Sequence, residues 1–289
     1  MAEPLPVAYF NGQFLAPAAV HISPLDRGFL FGDGVYEVIP AYAGRLFHLP
    51  AHLERLQYSL DGIRLANPHT AADWTRLLTR LVADNGGGNQ ALYLEITRGA
   101  DTGREHGFPK HPLAPTVFAM CMPLMPLPAR LLERGARAVT LEDIRWRRCD
   151  IKSTALLGNV LLHQEGLDRG ADEAVLLRDG LATECTASSL FIVEHGEIVT
   201  PPKTRDSLPS ITRDVIVALA HEQQLPVHET AIPAASLRAA EEIWFASSTR
   251  ELCAVVELDG RAVGRGRPGA LWQRLYQLFQ EHKRQLVAA

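Results

Sequence analysis

Three prolines within six residues, Pro123, Pro126 and Pro128 of "CMPLMPLPARL", break the chain near its middle. Proline lacks the amide hydrogen that a helix interior or a central strand needs, so no regular element is expected to run through this stretch. With 289 residues the chain is long enough to divide there. The expected organisation is a small N-terminal α/β domain over 1–122, a linker over 123–128, and a larger C-terminal α/β domain over 129–289.

Turn signals lie on both sides of the break. Asn11-Gly12 in "VAYFNGQFL" is the pair favoured in type I′ hairpins, and "GVYEVIPAYAGRLFHL" reads as a second hairpin. Pro40 sits inside that second run, so its strand should be an edge strand or bulged there. Leu49, Leu53, Leu56, Leu60 and Ile63 recur at spacings of four and three, which predicts a helix over about 50–65. A second helix is expected over 71–84, ended by "DNGGGN", then strands "ALYLEITRG" and "TVFAMCM" around a glycine-rich loop. The second half reads as hairpins "EAVLLRDGLATE" and "SLFIVEHGEIVT", a helix opening at Ser210, the strand "EIWFASSTRE" and a closing helix over 269–286. Together these predict an α+β protein of two domains with largely antiparallel sheets.

Composition narrows the function classes. Apolar residues make up 47% and charged residues 21%, the balance of a soluble globular protein. A net charge of −4 argues against a general nucleic-acid binder. "RWRR" is a local exception, expected to be a solvated strand end paired with Glu142 and Asp143. Cys121, Cys149, Cys185 and Cys253 are scattered without CxxC or metal spacing, so no metal is expected and a reduced, cytoplasmic setting is. No signal peptide is expected at the N-terminus, and no apolar run approaches the ~20 residues of a membrane span. "GGG" at 86–88 lacks the Gly-Lys-Ser/Thr of a phosphate-binding loop, and there is no HExxH.

Of 29 basic residues only Lys110, Lys152, Lys203 and Lys283 are lysine. Arginine cannot form an imine or shed its proton; a desolvated lysine can do both. Lys110 and Lys283 have polar neighbours and Lys203 lies in a turn, whereas Lys152 stands among Ile151, Ala155, Leu156 and Leu157. An imine-forming lysine in a pyridoxal phosphate enzyme needs two companions: an anion cradle for the phosphate, and an acid at the ring nitrogen. Glu184 in "LATECTASS" is a candidate for the acid, with an ordinary turn residue as the alternative. Ile211 and Thr212 in the first turn of the Ser210 helix, and Ser248 and Thr249 at a strand end, are candidates for the cradle, with plain capping as the alternative. Arg55 is a further candidate or a surface arginine.

Seven motifs in one order, "DRGFLFGDGVYEV", "HLERL", "EDIRWRRCDIKS", "NVLLHQEG", "ATE", "ITRD" and the "SST" of "FASSTRE", resemble the class IV (fold type IV) pyridoxal-phosphate aminotransferases. Within that class they are most similar to the D-amino acid transaminases, from about residue 7 to 280. The resemblance implies a two-domain enzyme with pyridoxal 5′-phosphate between the domains, the C-terminal domain carrying the cofactor lysine. It makes Lys152 the Schiff-base lysine and Glu184 the acid on the ring nitrogen. Arg55, Ile211, Thr212, Ser248 and Thr249 become phosphate ligands, with Leu208 against the ring. Tyr36, Arg104 and His106 become a trap for the substrate carboxylate, with Val38 beside it. The last two of the trap reach across from the partner subunit of a homodimer.

The implied reaction is ping-pong transamination between D-amino acids and 2-oxo acids, of the D-alanine plus 2-oxoglutarate type. The alternatives are branched-chain L-amino acid transamination or aminodeoxychorismate cleavage on the same fold, and, from another class, a non-catalytic binder of the cofactor. Two departures stand out. The loop "RGADTGREH" is one residue longer than expected, and "ECTASS" replaces the usual Gly and Ser after the acid, leaving Thr186 and Ser188 as donors but not Ala187.

Overall fold

The computed structural model describes residues 3–288, so the first two residues and the last of the expected domain spans lie outside the described residues. The chain forms two compact units: Met1–Met125 with Ile151–Leu156, and Pro126–Asp150 with Leu157–Ala289.

In the first unit six strands form an antiparallel sheet: β1 (Ala8–Phe10), β2 (Gln13–Leu15), β3 (Gly34–Tyr42), β4 (Arg45–Leu46), β5 (Gln90–Thr97) and β6 (Thr116–Pro123). Their order is β2-β1-β6-β5-β3-β4. The helices are α1 (Arg27–Phe31), α2 (Leu49–Gly62) and α3 (Ala71–Asp84). Val35 and Ile39 of β3 and Leu92, Leu94 and Ile96 of β5 pack in one core with Leu53, Leu56 and Leu60 of α2 and Trp74, Leu78 and Leu81 of α3. This is the alternation of a sheet with one covered face meeting the helical stripe read from the leucine spacing. Asn11 and Gly12 take φ of 45° and 94°, the left-handed conformation a two-residue hairpin turn requires.

The strand containing Pro40 pairs with β5 without a bulge, from Gly34 opposite Thr97 to Ala41 opposite Gln90. Even-numbered residues of β3 turn their polar groups away from β5. Tyr36 N–H donates to the Lys152 carbonyl at 2.9 Å, and the Pro40 carbonyl accepts from Phe47 N–H at 2.8 Å. Pro40 shares that parity, so its missing N–H costs the β3–β5 ladder nothing.

The same free side of β3 holds Ile151–Leu156. Thr154 N–H donates to the Gly34 carbonyl at 3.0 Å, Ser153 bridges Val35, and Ile151 joins the first core. This corrects the expectation that Lys152 belongs to the C-terminal domain. Its segment leaves the second unit, pairs with β3 and returns.

The second unit has α4 (Ala129–Arg134), β7 (Ala136–Glu142), α5 (Leu157–Asp168), β8 (Glu173–Arg178), β9 (Leu181–Cys185), β10 (Ser189–Glu194), β11 (Glu197–Thr200), α6 (Ile211–Glu222), β12 (Val227–Glu229), β13 (Ile232–Pro233), α7 (Ala234–Ala239), β14 (Glu242–Ser247), β15 (Glu251–Leu258), β16 (Arg261–Ala262) and α8 (Ala270–Ala288). The strands form one ten-stranded sheet in the order β12-β11-β10-β14-β15-β7-β8-β9-β13, with β16 on β15. It is mixed: β7 runs parallel to both β15 and β8, and β12 parallel to β11. Ser189 of β10 lies opposite Ala246 of β14, and Ser247 opposite Glu251. The links 186–188 and 248–250 therefore leave at the same end of the sheet, next to Glu184.

"RWRR" lies in the loop after β7 and not at a solvated strand end. Arg145 is turned inward with its side chain 5% exposed, whereas Trp146 and Arg147 are exposed, the latter beside Asp179. Among the described residues no helix is long and apolar enough to cross a membrane.

Candidate active site

Four site residues lie in the first unit around the middle of β3. Tyr36 and Val38 share the face opposite the core, while Glu37 between them points into it. Lys152 follows from the backbone pairing with β3. Its amide donates to Ser59 Oγ at 3.2 Å, and its Nζ stands 4.2 Å from the centre of the Tyr36 ring. Tyr93 of β5 packs on the same face, 5.7 Å from Tyr36 between ring centres, and donates its hydroxyl to Glu95 at 2.6 Å.

On the core side Arg55 grips Glu37 with two nitrogens, at 2.8 and 2.7 Å, and His52 Nδ1 lies 2.8 Å from the same carboxylate. Burial would raise the Glu37 carboxyl, yet Arg55 and His52 hold it down at about 2. Burial above all lowers His52, against the pull of Glu37, with the Arg55 and Lys152 charges adding to it. His52 is then neutral and donates through Nδ1, because the carboxylate only accepts. Arg55 is thus not a surface arginine but half of a buried pair. Glu37 and His52 escaped the sequence reading. The available signal was the stripe His52, Arg55, Ser59 on α2, running beside the leucine stripe and fully buried.

The second unit carries the rest. Glu184 sits near the end of β9 with both oxygens engaged: Arg145 Nη1 at 2.5 Å from Oε1, and Leu208 N–H at 3.2 Å from Oε2. Burial pushes the Glu184 carboxyl up, opposed chiefly by Arg145. Arg145 is itself fixed by Asp143, whose carboxyl burial would raise but which Arg145 and Arg178 hold low. Arg145 was not singled out from the sequence, where it looked like one arginine among several. Leu208 meets Glu184 through its backbone.

α6 begins at Ile211 with Ser210 as its cap, the hydroxyl accepting from Arg213 N–H at 3.2 Å. That leaves the N–H groups of Ile211 and Thr212 without an acceptor in the helix. Among the described residues the hydroxyls of Thr212, Ser248 and Thr249 have no protein partner either. Helix-terminal amides and hydroxyls without a protein partner are the donors a phosphate ester takes, so these residue types fit the expected cofactor. Thr186 and Ser188 do not join them. Their hydroxyls donate to Glu173, at 2.5 and 3.2 Å, which corrects the expectation that they remain available.

Arg104 and His106 are placed elsewhere in the first unit. The Arg104 guanidinium lies 5.1 Å from the Phe31 ring centre and the His106 ring 5.4 Å from it. Arg27 anchors this loop, donating to the carbonyls of Glu105 at 2.8 Å and His106 at 3.4 Å. Among the described residues neither Arg104 nor His106 hydrogen-bonds Tyr36 of the same chain.

Residues 34–258 match the family described as Amino-transferase class IV. A D-alanine aminotransferase of Staphylococcus epidermidis is 36% identical over 274 residues, 95% of this chain and 96% of the relative. One of Listeria monocytogenes is 38% identical over 256 residues, 89% of each. Among solved structures the branched-chain amino acid aminotransferase of Escherichia coli superposes with a TM-score of 0.89 at 25% identity, over 96% of this chain and 94% of that one.

Proposed function

The chain belongs to the class IV aminotransferases, and from that premise we propose that it exchanges amino groups between D-amino acids and 2-oxo acids with pyridoxal 5′-phosphate as cofactor. Bound cofactor supplies the carbon that takes up the amine and a ring that accepts the electron pair released at the substrate Cα. The amides of Ile211 and Thr212 with the hydroxyls of Thr212, Ser248 and Thr249 hold its phosphate, Arg55 adds charge, and Leu208 lies against its ring. Glu184 holds positive charge at the ring nitrogen, and Arg145 keeps that carboxylate fixed. Lys152 Nζ would take the proton from the substrate Cα and deliver it, on the same face, to the cofactor carbon that holds the amine. Tyr36, Arg104 and His106 grip the substrate carboxylate, with Val38 beside it.

The observation that carries this reading is the seat of Lys152. The backbone of β3 places its amine against Tyr36, so proton carrier and carboxylate grip are set by one strand. Likeness to D-alanine aminotransferases supports the D-series over branched-chain L-amino acids, which match at lower identity. Arg104 and His106 gather around Phe31 of the same chain, which accords with the homodimer of the resemblance, in which the partner completes the trap. Four buried free cysteines fit a cytoplasmic setting. The test is a half-reaction panel of D- and L-amino acids followed by absorbance. Conversion with D-alanine and none with L-leucine is expected; the reverse moves the chain to the branched-chain branch.

A further inference from the structure

Glu173 opens β8 with its side chain wholly buried, and none of the roles above uses it. One oxygen accepts from Thr186 Oγ1 at 2.5 Å, Ala174 N–H at 3.0 Å and Thr186 N–H at 3.3 Å. The other accepts from Arg250 Nη1 at 2.9 Å and Ser188 Oγ at 3.2 Å. Apart from the neighbouring Ala174 of β8, these donors come from two separate segments. Thr186 and Ser188 belong to the link that leaves Glu184. Arg250 belongs to the turn that carries Ser248 and Thr249.

Arg250 is held at several further points. Its Nη2 donates to the Asp172 carbonyl at 3.2 Å, its guanidinium lies 4.1 Å from the Phe245 ring centre, and its N–H donates to Ser247 Oγ at 3.3 Å. The turn closes on Glu251 with φ of 51°, a conformation uncommon for a residue with a side chain. A bare carboxylate beside a phosphate site would repel the ligand. Here it is buried and neutralised by Arg250, and the link's hydroxyls are committed to it, while Ser248 and Thr249 keep theirs.

We infer that Glu173 is a positioning residue: through Arg250, Thr186 and Ser188 it locks the 248–250 turn to the 186–188 link and so sizes the cradle for a phosphate. This rests on the proposed reading of Ser248 and Thr249 as phosphate ligands. Hydrogen bonds to an anion are strong only at the right length and angle, so a loosened turn weakens phosphate recognition without touching the rest of the cofactor's contacts.

The experiment titrates cofactor-free protein with pyridoxal phosphate and, separately, with pyridoxal, which lacks the phosphate. Wild type, Glu173→Gln and Arg250→Met are compared by absorbance. Glutamine keeps the shape of Glu173 but turns an amide NH₂ toward donors. Arg250 is a quarter exposed, so its replacement tests the same link should Glu173→Gln not fold. Expected is a fall of about tenfold or more in affinity for pyridoxal phosphate, with pyridoxal changed by less than about twofold. Equal weakening of both forms, or a wild-type preference kept in both variants, overturns the inference alone. A wild type that binds both forms equally overturns the cradle reading and this inference with it.

Discussion

Glu184 and Glu37 are both buried carboxylates facing an arginine, and their surroundings push them in opposite directions. At Glu184 burial wins over Arg145 and raises the carboxyl; at Glu37 Arg55 and His52 win and hold it at about 2. Glu184→Gln keeps the acceptor for Leu208 N–H but removes the charge that balances a protonated ring nitrogen. Turnover of D-alanine should fall by about tenfold or more with cofactor retained; rates within about twofold of wild type would assign the ring nitrogen to another group. Glu37 instead sets acid stability. Its folded value lies below its ordinary one of 4.5, so its contribution is present above about 4.5 and is lost as pH falls toward about 2. Glu37→Gln should lower the urea midpoint at pH 7 and flatten its decline between about pH 4.5 and 2. An unchanged pH dependence would disprove the linkage. Lys152 could be singled out because lysine is rare in this chain, whereas Glu184 had an ordinary turn residue as its alternative. Glu37 and Glu173 could not be singled out, since strand alternation marks a position as inward without saying that a charge there has a partner.

Elements were legible where a turn dictates backbone conformation. Asn11-Gly12 and Asp179-Gly180 both take the left-handed pair of φ values, and the hairpins follow. The parallel strand β7 and helix α5 left no such mark. A parallel neighbour needs a long crossover and no turn dipeptide, and the apolar residues of α5 spread around it, with Leu157, Val160 and Leu161 exposed. The excursion of Ile151–Leu156 onto β3 is equally silent, because its pairing uses backbone groups that any residue supplies. Gly99 shows how one position steers the loop that carries Arg104 and His106. It follows β5 at φ of 96°, and a Cβ there would lie 2.1 Å from the Ala114 carbonyl oxygen. Gly99→Ala must displace the strand of loop that leads to Arg104 and His106. It should lower the melting temperature by several degrees and reduce kcat/KM for D-alanine more than it reduces cofactor affinity. A variant with normal KM and a normal melting temperature would show that the loop tolerates the shift.

At the scale of the whole molecule the question is which copy of the chain supplies Arg104. In the chain itself Arg104 and His106 gather around Phe31 and are tied by Arg27, while Tyr36 faces Lys152. Exposed Phe29 on α1 and exposed Leu157, Val160 and Leu161 on α5 are apolar side chains that a second copy can cover. A two-fold dimer makes a prediction that no single-chain site shares. Lys152→Ala has no proton carrier and Arg104→Ala has no guanidinium for the carboxylate, so each alone should be nearly inactive with D-alanine. Unfolded together and refolded as a mixture, about half of the dimers carry one chain of each kind. If Arg104 serves its partner, one site of each mixed dimer pairs an intact Lys152 with an intact Arg104, and the other has neither. About one quarter of the wild-type activity should then return, with a wild-type KM for D-alanine. If Arg104 serves its own chain, each site of the mixed dimer lacks one group and nothing returns. Light scattering on the same mixture gives the second reading: a monomer at the assay concentration, with no activity restored, removes the shared site.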